Sequence, residues 1–363
     1  MKKIGLLTFH NTINYGAVLQ GFALEMKMRE LGADCEIINY HCENVERREY
    51  CLFPKYKNGC INYLRDIKTY FTSIKKRLRI KKFVKDNMYI SNLEYNRKNI
   101  INANLVYDKF VVGSDMVFNL NITNGDLTYY LDFADKGKRN SYAASFGEER
   151  FDDNYLHECV SNLNEFDYLS VREMQTRDYF DSVLHNNVHV DCDPTLLYDG
   201  TFWKKYENIP HYIPKKKYIL IYFDDKDGLL IRTAQKIASD NNYEIIILKN
   251  SKEKYDNCKN IRRASIGEFL YYIHNAELVI TGSYHGLIFS INYNTNFMYF
   301  NRANSNRMES IAQLTNSTDR RITHDYIPNI TCDFKLINKA VDKARNNSIK
   351  NLKKIIIGEN DEK

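Results

Sequence analysis

Strand-like apolar runs alternate with stretches of helical spacing for most of the chain, the pattern of parallel α/β sheets. The first such group predicts a strand over Lys3–Phe9, a polar turn over His10–Asn14 and a helix over Gly16–Leu31 stopped by Gly32, with a second strand over Cys35–Asn39. Further strands are expected over Asp108–Val112, Ser141–Ser145, Tyr168–Arg172 and Val188–Val190, and a helix over Asp153–Glu165. Pro210, Pro214 and the basic triplet Lys215–Lys217 read as a linker. A second series then predicts strands over Tyr218–Phe223, Glu244–Lys249, Leu278–Thr281 and Phe297–Phe300. Its helices are expected over Asp227–Asp240, Ile266–His274, Tyr284–Asn292 and Met308–Leu314. The expected architecture is α/β, with two Rossmann-like domains facing a cleft. The first covers 1–200 with a basic helical insertion at 61–87, the second covers 215–320, and 321–363 form a C-terminal helical tail. In such sheets ligands sit beyond the carboxyl ends of the strands.

A length of 363 residues suits two domains, and 44% hydrophobic with 27% charged residues excludes a disordered chain. With only 5 Pro and 15 Gly, long elements and short connections are favoured. No apolar run approaches the roughly 20 residues of a membrane-spanning helix. Lys2 and Lys3 precede only Ile4–Leu7 before polar residues return, so a signal h-region is missing and a cytoplasmic location is expected. The eight cysteines contain no C-x-x-C pair and read as reduced structural thiols. Histidines 185, 189, 274 and 285 lack coherent ligand spacing, so no metal is expected. Neither a P-loop nor a dinucleotide fingerprint is present, and no cofactor is implied.

The net charge of +6 is too small to indicate nucleic acid, and no nucleic-acid-binding module is recognisable. Its distribution says more. Residues 65–85 carry nine basic residues and one acid, Asp66, while Leu64, Ile67, Phe71, Ile74 and Leu78 recur at spacings of 3 and 4. A basic amphipathic helix of this kind either rests against anionic lipid, giving peripheral contact at the inner face of the cell membrane, or docks on the first domain with its charges solvated.

Four loops after strands carry candidate chemistry. The turn after the first strand holds His10, Asn14 and Tyr15 at a helix start, where free N–H groups favour anionic or hydroxyl-rich ligands; Asn14 serves equally as a simple helix cap. Val112, Gly113, Ser114 and Asp115 end a buried strand, and Asp115 can orient or deprotonate a sugar hydroxyl or merely close an Asx-turn or cap a helix. Arg172 ends another strand and either clamps a carboxylate or phosphate or pairs with Glu173 or another acid. Gly282, Ser283, His285 and Gly286 lie at a strand-to-helix switch, with His285 between two glycines that admit a ligand to the backbone.

These segments together resemble one family. Phe9-His10-Asn11, Asn14-Tyr15-Gly16-Ala17, Leu19-Gln20, Val112-Gly113-Ser114-Asp115, Tyr142-Ala143-Ala144-Ser145-Phe146-Gly147, Ser170-Val171-Arg172-Glu173, Asp193-Pro194-Thr195-Leu196-Leu197 and Ser283-Tyr284-His285-Gly286 follow the motif order of the polysaccharide pyruvyl transferases over about residues 1–320. The resemblance implies a GT-B-like fold. It also implies transfer of the pyruvyl unit of phosphoenolpyruvate, as co-substrate, onto two hydroxyls of a polysaccharide sugar or its lipid-linked precursor, giving a ketal and phosphate. It makes His285 and Asp115 the catalytic pair, with Arg172, Ser283, His285 and Gly286 on the donor side and His10, Asn14, Tyr15, Ser114 and Asp115 on the acceptor side. Many members carry an Arg where this chain has Ser283; Arg302 or Arg307 either replaces it or lies in a solvated polar loop. Two rival readings are a glycosyltransferase using a nucleotide sugar on the same fold and a non-catalytic glycan-binding protein.

Overall fold

Ile4, Leu6 and Leu7 have no exposed surface, as a strand with neighbours on both edges and cover on both faces requires. They belong to β1 (Lys3–Leu7) in the computed structural model, which describes residues 2–56, 59–147, 155–222, 228–248, 255–301 and 306–358. The elements that follow are α1 (Tyr15–Glu30), β2 (Asp34–Tyr40), α2 (Glu43–Arg48), α3 (Cys60–Asn87), β3 (Ile90–Tyr95), β4 (Lys109–Val112), α4 (Leu120–Thr123) and β5 (Arg139–Ser141). Their strands form one sheet of order β3-β2-β1-β4-β5, parallel throughout. Asn14 caps α1 by accepting from Gly16 N–H, and Gly32 ends the helix at φ +91°, a left-handed conformation open to glycine.

Next come α5 (Leu156–Leu163), β6 (Leu169–Val171), α6 (Met174–Val183) and β7 (Val188–Val190). β6 and β7 pair in parallel, and β6 also runs beside β5 through bridges Asn140 to Tyr168 and Ala144 to Val171. The strand expected over Ser141–Ser145 stops at Ser141 because Ala143 turns to φ 47°, its N–H held by Ser170 Oγ at 3.1 Å. Ala144 then rejoins the sheet as a single bridge.

The second unit begins at Tyr198, ahead of the residues read as a linker, which therefore lie within it. α7 (Gly200–Lys204) carries Trp203, which is wholly buried with its ring 5.0 Å from that of Phe289. β8 (Tyr218–Tyr222), α8 (Leu229–Asn241), β9 (Glu244–Leu248), β10 (Cys258–Ile261), α9 (Ile266–His274), β11 (Leu278–Thr281), α10 (Tyr284–Tyr293), β12 (Phe297–Tyr299) and α11 (Asn306–Leu314) follow. The sheet order β10-β9-β8-β11-β12, again all parallel, repeats the topology of the first. The chain therefore has two Rossmann-like domains of the α/β class.

The two units are Met1–Leu197 with Ala344–Lys363, and Tyr198–Lys343. The helical tail expected after 321 is chiefly α12 (Phe334–Ile357), which begins in the second unit and ends in the first. There Ser348 Oγ accepts from Cys192 N–H at 2.9 Å, Lys109 Nζ donates to Ile355 O at 2.6 Å, and Leu352 is fully buried. Among the described residues no helix is long and apolar enough to cross a membrane.

α3 is the basic insertion, and it docks on the first unit. Ser73 and Ile80 are buried, the Phe83 ring sits 5.5 Å from Phe22 of α1, and Arg77 donates to the carbonyls of Tyr50 and Cys51. Leu64, Phe71 and Leu78 are exposed, whereas Ile67 and Ile74 are half-buried.

Candidate functional site

A sheet ordered 3-2-1-4-5 leaves its first strand in opposite directions, and the crevice where the connections part is where such sheets bind ligands. In the first unit that point lies between β1 and β4, whose register pairs Leu7 with Val112. The loops leaving these two strands carry His10, Asn14 and Tyr15 on one side and Ser114 and Asp115 on the other. Thr8 Oγ1 ties them together, donating to Ser114 O at 3.1 Å and accepting from Gln20 Nε2 at 2.8 Å. Gly113 lets the two loops approach closely, since a Cβ there would lie 3.1 Å from Thr8 Cβ and press on it.

Asp115 is buried at φ +75°, a left-handed conformation that few residues other than glycine adopt. Its Oδ1 accepts from Met116 N–H at 2.8 Å, and its carbonyl accepts from the N–H groups of Val117 and Ser145. An Asx-turn would have the side chain accept from Val117 N–H, whereas here that N–H goes to the Asp115 carbonyl and the side chain holds the next residue. This contact holds the carboxylate at the end of the central strands. Strained backbone fixed in this way concentrates at functional sites.

His10 is enclosed, its Nδ1 3.4 Å from Thr8 O and its Nε2 3.2 Å from Asn39 Oδ1. Burial lowers its pKa, which favours the neutral ring. Asn14 stays at the surface as the α1 cap.

Behind Ser114 lies a buried charge network. Arg172 follows β6 with its side chain 1% exposed; its Nη1 donates to Asp193 Oδ2 at 2.9 Å and to Ser114 Oγ at 3.3 Å, and its Nε donates to Glu173 Oε1 at 2.9 Å. Ser145 Oγ donates to the same Glu173 oxygen, and Thr195 Oγ1 donates to Asp193 Oδ1. Of the two readings of Arg172, pairing with acids is what the structure contains. A guanidinium this deep needs carboxylate partners, and two are supplied.

A further pair went unrecognised in the sequence. Lys76 of α3 holds its Nζ 3.9 Å above the Tyr15 ring, and Glu49 accepts from Thr12 Oγ1 at 2.9 Å. Burial pushes the Lys76 ammonium down to about 8 and raises the Glu49 carboxyl, to which the Asp115 charge also contributes. Nothing in the pattern marks Lys76 among nine similar cations; only the packing of α3 singles it out. Glu173 and Asp193, in contrast, stood inside quoted motifs.

A polar pocket of about 690 Å³ opens beyond β2 and β3, lined among others by Tyr40, His41, Arg47, Lys55, Arg97 and Asp126. It borders the first loop through Glu46 Oε1, which is 2.7 Å from both Asn11 Nδ2 and His41 Nδ1.

In the second unit the equivalent switch lies between β8 and β11. β11 ends at Thr281, whose Oγ1 donates to Tyr222 O at 2.6 Å and accepts from Ser283 N–H. Ser283 caps α10 by accepting from Gly286 N–H at 3.4 Å, so its hydroxyl serves the helix start. His285 stands in the first turn of α10, buried, with its ring edge-on to Tyr284 at 5.3 Å. Arg307 lies in α11, half-buried; Arg302 falls outside the described residues. The structure thus gathers His10, Asn14, Tyr15, Ser114, Asp115 and Arg172 within the first unit, and Ser283, His285, Gly286 and Arg307 belong to the second.

Residues 14–304 match the family model described as polysaccharide pyruvyl transferase. Among solved structures, the chain resembles UDP-N-acetylglucosamine 2-epimerase from Rickettsia bellii at a TM-score of 0.50 and 11% identity, covering 99% of this chain and 97% of that one. The UDP-GlcNAc 2-epimerase of Methanocaldococcus jannaschii gives a TM-score of 0.47 at 15% identity, covering 95% and 92%. An E. coli heptosyltransferase with ADP gives 0.42 at 10%, covering 94% and 99%. At these identities the likeness concerns the fold alone, which is GT-B-like. No curated protein sequence matches the chain significantly.

Proposed function

The chain belongs to the polysaccharide pyruvyl transferase family, and from that premise we propose that it moves the pyruvyl unit of phosphoenolpyruvate onto two hydroxyls of a sugar in a polysaccharide or its lipid-linked precursor. The family match over 14–304 carries the reading. In the reaction carbon 3 gains a proton, the bond from carbon 2 to the phosphate oxygen breaks, and two sugar oxygens bond to carbon 2. Of the two hydroxyl protons released, one balances that gained by carbon 3 and the other leaves on phosphate. The balance needs protons only, and no cofactor is invoked.

Each half of this chemistry has residues suited to it. On the donor side, an anion with a carboxylate and a phosphate suits the α10 N-terminus, with Gly286 giving backbone access, Ser283 shaping the start and Arg302 or Arg307 supplying positive charge. His285 in the first turn is the acid for carbon 3. On the acceptor side, Asp115 takes a hydroxyl proton, while Ser114, His10, Asn14 and Tyr15 flank the sugar. Arg172 is better read as a positioning residue than as a clamp, because both faces of its fork hold acids. The polar pocket beyond β2 and β3 supports an acceptor with many hydroxyls. A phosphoenolpyruvate donor fits a cytoplasmic enzyme.

The test is a phosphate-release screen with phosphoenolpyruvate over a panel of sugar acceptors. Release that depends on one class of acceptor is expected. No release with any acceptor, together with thermal stabilisation by UDP and none by phosphoenolpyruvate, would replace this reading with nucleotide-sugar transfer.

A further inference from the structure

α3 presents two unlike faces. Successive residues are about 100° apart around a helix, so positions seven apart nearly align. Leu64, Phe71 and Leu78 follow that repeat and are 59%, 58% and 59% exposed. Ser73 and Ile80, which pack inward, lie on the opposite side. Lys68, Lys75 and Lys82 form a second exposed row about 40° round from the apolar one, at the same repeat. Phe53, itself 46% exposed, widens the apolar ridge with its ring 6.4 Å from Phe71. An apolar ridge and a lysine ridge thus run side by side on the outside, while Lys76 and Arg77 turn inward.

We propose that this outer face of α3 docks on an anionic lipid surface, with Phe71 and the two leucines entering the boundary between headgroups and acyl chains and the lysines meeting lipid phosphates. The pairing of ridges selects this occupant. A soluble polyanion would engage the lysines and leave the apolar row in water. A second copy docking face to face would set lysine against lysine. A bilayer surface offers both an apolar layer and fixed negative charge at the depth of one side chain. The proposal goes beyond the transferase reading and is independent of it, since binding is measured without turnover.

The experiment is co-sedimentation of the full chain with vesicles of phosphatidylcholine alone and of phosphatidylcholine mixed with phosphatidylglycerol. Binding to the mixed vesicles only, weakened by salt, is expected. Phe71→Ser with Leu78→Ser, and separately Lys68→Glu with Lys75→Glu, should each lower the bound fraction about tenfold or more. Because all four side chains are exposed, both variants should keep the parent's melting temperature. Equal binding to neutral vesicles, or none, overturns the proposal. So does full retention by the Phe71/Leu78 variant, which would reduce the contact to ion exchange. Concentration-dependent dimers abolished by that same variant would assign the face to a second copy instead.

Discussion

Asp115 combines a carboxylate with a backbone conformation that only a few residue types tolerate. Asn is among them, so Asp115→Asn keeps φ +75° and the acceptor for Met116 N–H while removing the charge. We expect phosphate release to fall about 10²-fold or more with the melting temperature nearly unchanged, measured by turnover and thermal scan on one preparation. A second residue gives a pH signature. Burial raises the Glu25 carboxyl to about 7, against the weaker pull of Tyr89 N–H and Arg29. Between roughly 4.5 and 7 the folded chain binds more protons here than the unfolded one, so stability falls as pH rises, and the penalty is complete above 7. Glu25→Gln should therefore melt higher than the parent at about pH 8, by roughly 1–3 kcal/mol, with the gap closing near pH 4.5. Equal melting curves at both pH values would contradict this. The sequence exposed Asp115 through its position after an apolar strand. It offered Glu173 as a partner of Arg172 but did not single out Asp193, since which distant acid reaches a buried guanidinium depends on how β6 lies against β5 and on the segment after β7.

Among elements, the junction of β11 and α10 is tightly closed. A Cβ on Gly286 would lie 2.5 Å from Thr281 Oγ1, and that hydroxyl already donates to Tyr222 O and accepts from Ser283 N–H. Gly286→Ala would gain about 1 kcal/mol of helix propensity. The clash outweighs it, since Thr281 cannot yield without breaking both bonds. We expect a net loss of about 1–3 kcal/mol, read as a melting temperature lower by several degrees. Central elements were legible for the same reason that they are rigid: β8 and β11 are buried at every position and so read as unbroken apolar runs. The edge strands β3 and β10 were not. β3 buries only Ser91 and Tyr95, and β10 buries nothing fully, so neither shows an alternating pattern. α3 was legible as a helix and misleading as a surface, because its docked face is held by a serine, a lysine and an arginine as well as by Ile80 and Phe83.

At the scale of the molecule, α12 makes the first unit discontinuous. Leu352→Ala removes a fully buried side chain from that unit, at a cost of about 2–5 kcal/mol. The single tryptophan, Trp203, belongs to the second unit. Its fluorescence therefore reports one unit while circular dichroism reports both. The variant should shift the dichroism transition more than the fluorescence transition, and equal shifts would mean that the two units unfold as one. The fold class could be read from strand alternation, yet this return of the chain could not, because a helix's periodicity does not say which body it covers. The return also orders events on the ribosome. Domains usually mature in the sequence in which they emerge. Here the second unit is fully translated by Lys343, while the first still lacks Ser348, Leu352 and the carbonyl that Lys109 reaches. The part of the chain made first is thus the part finished last, and a stalled or clipped product ending at Lys343 would carry a complete second unit and an unclosed first one.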